Sequence, residues 1–229
     1  MSDIGRRDRV FYLAMGLLVL AVVVYGFGRS FYFAPFMPVR QIRPLLQLHA
    51  AVFSAWVLLF ILQTSLISAH RRDLHRRAGI AGAFLAGLLV IVGSLTVLES
   101  VRLQRLQDGA VNLFGSSSQL AVFAILAAAG LLLRKRPELH KRLMLVGTLA
   151  LAQAGLGRIL PGLNLGPGGE IVVTMLFMFS WLIYDLLTHR RPLLAPLFGA
   201  AAVVLIAPVG IPLIVRSAGW LQFTAWVQR

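Results

Sequence analysis

Asp73-Leu74-His75-Arg76-Arg77 and Glu138-Leu139-His140-Lys141-Arg142 are one phrase used twice, acid-Leu-His-base-base, 65 residues apart. Each copy lies between two apolar stretches long enough to cross a bilayer. Thr188-His189-Arg190-Arg191 is a weaker third echo in the same setting. The three phrases mark basic elbows between the spans of an all-α membrane protein.

Composition agrees with that reading. Hydrophobic residues make up 59% of the chain and charged residues 13%, with a mean hydropathy of +0.83, outside the range of soluble domains. Runs of about 18 or more residues almost free of charge are the mark of spanning helices. The net charge of +14 sits in short loops between those runs, so it reads as topology and not as a nucleic-acid face. There are no cysteines, which removes disulfides and thiolate metal sites.

Seven spans are expected, at about 10–27, 45–67, 78–98, 116–133, 143–160, 171–187 and 193–215, in a single transmembrane domain covering 1–229. The first run has a basic flank like a signal peptide, but no small-x-small site follows it, and it reads as an anchor. The last span holds Pro196, Pro208 and Pro212, which predicts a kink or a ragged end. Basic residues fix the orientation. Arg6, Arg7 and Arg9 in the tail, together with the bases of the three elbows, are most of the 22 Lys and Arg. The positive-inside rule then places the N-terminus in the cytoplasm of a bacterial cell and the C-terminus in the periplasm. Ala51-Val52-Phe53 and Ala121-Val122-Phe123 precede the first two elbows, as in a duplicated hairpin.

The elbows allow two readings. As structure, Asp73 would cap a helix, Pro137 and Glu138 would open one, and Asp73–Arg77 and Glu138–Arg142 would pair at i,i+4. As chemistry, His75, His140 and His189 would be ligands of a b-type haem near the inner face, with Asp185, four residues before His189, orienting that ring. A second polar group is expected in the outer half. His49, Trp56 and Gln63 follow at spacings of seven on one helical stripe, and Gln119, Gln153, Arg158 and Glu170 approach the same level. These residues either satisfy one another between helices or line a pocket.

Familiar alternatives fail on residues. A seven-helix retinal protein needs a lysine in its last span, whereas Lys135 and Lys141 both fall in an elbow. No HExxH, Walker A or GxSxG motif is present, and no metal site is expected.

The stretch 48–79, with His49, Gln63 and Leu74-His75-Arg76-Arg77-Ala78-Gly79, resembles bacterial multi-span membrane proteins of unassigned function. So does Arg136-Pro137-Glu138-Leu139-His140-Lys141-Arg142-Leu143-Met144, followed by Arg158. Such families are distantly similar to cytochrome b561-type bundles, where histidines on adjacent helices hold two haems. This chain departs from that pattern, since His49 is its one membrane-embedded outer histidine. The resemblance implies the topology and at most one inner haem site. The leading expectation is therefore a haem b or quinone-linked redox protein of the inner membrane, acting through His140 with His75 or His189. The alternative is a non-enzymatic carrier of a small molecule or lipid at His49–Arg158, or an accessory subunit of a membrane complex. Lipid is a partner in either case and nucleic acid in neither.

Overall fold

The computed structural model describes residues 3–36, 42–103, 109–189 and 193–229. Among these residues the chain is all-helical. The long helices are α1 (Asp3–Phe27), α2 (Pro44–Ser68), α3 (Arg72–Arg102), α4 (Gly109–Leu132), α5 (Pro137–Ile159) and α6 (Gly166–Thr188). They are followed by α7 (Leu194–Leu205) and α8 (Ala218–Val227). A π-helical turn, Gly28–Tyr32, extends α1, and a longer one, Ile206–Val215, follows α7. Pro38, Arg105, Asp108, Arg190 and Arg191 lie outside the described residues.

Among the described residues six helices are long and apolar enough to cross a membrane, and a seventh span exists if the bent pair Leu194–Leu205 and Pro208–Val215 is one crossing. That pair bends by 60°, where Pro208 and Pro212 interrupt the amide ladder. Large apolar side chains such as Tyr25, Phe84, Leu132, Leu187 and Phe198 face outward. In water such surface would aggregate, whereas lipid solvates it. These features are those of a multi-pass membrane protein.

The helices begin earlier than hydropathy suggests. α3 starts at Arg72 and not near 78, and α5 at Pro137 and not near 143, so both repeated phrases are first helical turns instead of linkers. Charged first turns lower hydropathy without breaking a helix, because their N–H groups need no intrahelical acceptor. α1 and α4 likewise start at Asp3 and Gly109, ahead of the expected 10 and 116. The true turn after α2 is short. His70 takes a left-handed conformation (φ 58°), with its N–H on Ile67 O and the Arg71 N–H on Leu66 O. These bonds make a Schellman stop.

The chain divides into two compact units, Met1–Leu89 with Ala152–Pro192 and Val90–Leu151 with Leu193–Arg229. In the first unit α1 is the hub. Its Gly16 faces Phe60 and Ile61 of α2. A Cβ on its Gly26 would lie 2.5 Å from Gly155 O of α5, so the two backbones touch there. At its start, Asp8 reaches Tyr184 and His189 at the end of α6. In the second unit, Gly130 of α4 admits Met144 of α5, and Gly199 of α7 admits Leu126. Val101, Leu113 and Val227 form a small core there, and Trp220 Nε1 of α8 donates to Ala110 O (3.0 Å). α5 is the most enclosed span, with 61% of its apolar window buried against 22–33% for the other five.

Candidate functional site

The Gly26–Gly155 contact builds the site. Because neither helix carries a side chain at the crossing, α5 approaches α1 closely, and Arg158, one turn beyond Gly155, lands on Phe27. Its guanidinium carbon sits 4.2 Å from the Phe27 ring centre, a cation–π contact, and Nη1 donates to Ala154 O (2.8 Å). Beside it opens a groove of about 610 Å³, lined by Tyr25, Gly28, Arg29, Phe33 and Arg158 among others. Neither Arg158 nor Arg29 has a carboxylate partner among the described residues. Two guanidiniums and exposed aromatic rings thus share one open groove.

His49, near the start of α2, stacks on Phe53 (centroids 4.2 Å apart). Arg158 is near enough for its charge to act on this ring. His49 Nδ1, Gln153 Nε2 and Trp181 Nε1 are buried with no hydrogen-bond partner among the described residues. An unsatisfied buried polar atom costs about 1–3 kcal/mol, so such atoms are where waters or ligands are expected. Trp56 is buried, and Glu170 is half-buried in the second turn of α6. Gln119, half-buried on α4, belongs to the second unit.

Gln63 leaves this group. It lies 14 residues past His49, about 21 Å along the helix, and reaches α3 instead. The amide faces acceptors at His75 and the N–H donor of Gly79, which orients its nitrogen to the first and its oxygen to the second. Gln63 Nε2 then donates to His75 O (3.2 Å) and His75 Nδ1 (2.7 Å), and its oxygen accepts from Gly79 N (2.9 Å). Neutral His75 therefore carries its proton on Nε2.

The three elbow histidines have three different partners. His140 Nδ1 donates to Gly130 O (2.8 Å) on the neighbouring helix α4. His189 Nε2 donates to Asp8 Oδ1 (2.9 Å), which also accepts from the Tyr184 hydroxyl (2.7 Å). The carboxylate expected to orient His189 was Asp185. That side chain is fully buried, and Asp185 meets His189 only through its backbone carbonyl, which accepts the His189 N–H. Asp8 does the orienting, from 181 residues away, a pairing that no local spacing signals.

A haem iron takes a ring nitrogen lone pair while the other nitrogen donates outward. His140 has that proton arrangement, with Nδ1 as donor. His75 has the reverse one, and His189 directs Nε2 to Asp8. His75 and His189 as placed do not fit iron ligation through Nε2.

Compared with protein-family models, curated proteins and solved structures, the chain matches none.

Proposed function

We propose that this chain is a seven-span protein of the bacterial inner membrane that binds an anionic amphiphile in the groove of Arg29 and Arg158, as a non-enzymatic carrier or lipid-dependent subunit. The N-terminus and the basic helix starts face the cytoplasm in this reading, and the C-terminus faces the periplasm. One observation carries it: two guanidiniums without carboxylate partners line the same open groove. Arginine favours bidentate contact with phosphate or carboxylate, and aromatic rings at headgroup depth suit the acyl boundary. The buried Nε2 of Gln153 and Nδ1 of His49 add polar capacity in the same unit.

The test is ligand-linked stability in neutral detergent. Phosphatidylglycerol should raise the unfolding temperature more than phosphatidylcholine does, because a ligand of the folded state stabilises it by mass action. Arg158→Gln should remove most of that difference. Equal shifts for the two lipids in the wild-type protein contradict the reading.

A second reading has its own observation, the Nδ1–H of His140 on Gly130 O. It makes the protein a b-type haem or quinone-linked redox protein, alone or with other membrane subunits. The spectra of the purified protein, air-oxidised and dithionite-reduced, decide it. A Soret band that moves on reduction and is lost in His140→Ala supports it, and a colourless folded protein retires it.

A further inference from the structure

The first unit has a second basic groove, at the opposite end of α1. It is a shallow, open groove of about 400 Å³ lined by Arg6, Arg7, Val10, Phe11 and Tyr184. Its wall is a stacked pair: the Phe11 and Tyr184 rings lie 3.9 Å apart at 4°. The pair is held in place, since the Tyr184 hydroxyl and His189 Nε2 both donate to Asp8 Oδ1 and tie α1 to α6. That carboxylate oxygen is thereby committed to two donors, while Arg6 is exposed and has no carboxylate partner among the described residues. Val10, 63% exposed, continues the groove as apolar surface.

The spacing of the two grooves says what they face. α1 with its π-helical extension forms one span, Gly5–Tyr32. Arg7 and Arg29 are 22 residues apart on it, about 33 Å at helical rise, against about 30 Å for a hydrocarbon core. Paired arginines therefore stand at both headgroup levels, each beside aromatic rings and each next to apolar helix surface. We infer that the Arg6–Arg7 groove seats the headgroup of an anionic phospholipid of the second leaflet, with its acyl chain against Val10 and Phe11. The inference extends the proposed function to the other leaflet but stands on separate residues, so the two fail separately. Phosphate oxygens would accept from the guanidiniums, and the Phe11–Tyr184 pair would set the glycerol and first methylenes against a rigid wall.

The experiment is photocrosslinking of the full chain in vesicles, with diazirine phosphatidylglycerol or diazirine phosphatidylcholine as probe and peptide mapping as readout. In the wild-type protein, labelling at Val10–Phe11 should favour phosphatidylglycerol by about thirtyfold, the scale set by two arginines near a headgroup. Arg6→Gln with Arg7→Gln should erase that preference and leave labelling around Tyr25–Phe33 unchanged. Arg29→Gln with Arg158→Gln should do the opposite. Equal labelling by both probes at Val10–Phe11 in the wild-type protein overturns the inference without any variant having to fold. Unchanged preference in the Arg6/Arg7 variant, or loss at both ends together, overturns it as well.

Discussion

The two copies of the repeated phrase open two helices and then do different work. At the start of α3, Asp73 turns back to Arg71 (3.3 Å), with both side chains more than half exposed. The expected Asp73–Arg77 pair is replaced by this local one. At the start of α5, Glu138 reaches forward to Arg142 (2.6 Å) and Lys141 (2.7 Å), as expected. Arg142 is 2% exposed, and its Nη1 also donates to Glu138 O. His75 accepts from a side chain of the neighbouring helix, whereas His140 donates to a neighbouring backbone. The surroundings decide the difference. α5 is the enclosed helix, so its opening bases are drawn into protein, while those of α3 stay at the surface. One repeated pattern thus makes an exposed local ion pair at one place and a buried, packed one at the other.

Arg142→Ala should break the comparison most visibly, costing about 2–3 kcal/mol in unfolding from detergent micelles; Lys141 keeps Glu138 partly paired and holds the loss to that range. Arg77→Ala, at the matching place in α3, should give an unfolding midpoint like that of the wild-type protein. A similar loss in both variants would mean that the two helix starts are equally buried. His140→Leu comes next, at about 1–2 kcal/mol, because the Gly130 carbonyl loses its donor. His75→Leu should cost less, since Gln63 keeps its bonds to His75 O and Gly79 N. Gln63→Leu, which removes the whole α2–α3 bridge, should cost about 1 kcal/mol and loosen hydrogen exchange at Gly79. Asp73→Asn is the smallest, with no measurable change in midpoint or topology, in keeping with an exposed ion pair.

Much of the fold was legible. Hydropathy located six spans and placed their C-terminal ends to within a few residues, and the prolines of the last stretch announced its bend. The helix starts were missed because hydropathy counts charge, whereas a first helical turn tolerates it. α8 is too short to stand out as a span, and its ten residues, with Trp220, Phe223 and Trp226, signal an interface before they signal a helix. In the site, Arg158 and His49 could be picked out as ionisable groups within apolar runs. Their setting could not, because it depends on a contact between two glycines, Gly26 and Gly155, that lie 129 residues apart. The Asp8–His189 tie and the departure of Gln63 to His75 are long-range or cross-helix choices of the same kind. A heptad stripe says which face of α2 is polar, but depth along the helix decides which partner each residue meets.

The most direct measurement is native mass spectrometry of the protein released from micelles after equilibration with equal amounts of phosphatidylglycerol and phosphatidylcholine. The groove at Arg29 and Arg158 predicts that phosphatidylglycerol adducts dominate in the wild-type protein and fall severalfold in Arg29→Gln/Arg158→Gln, with charge-state distribution unchanged. Equal adducts of both lipids, or a preference that survives the double substitution, would contradict it.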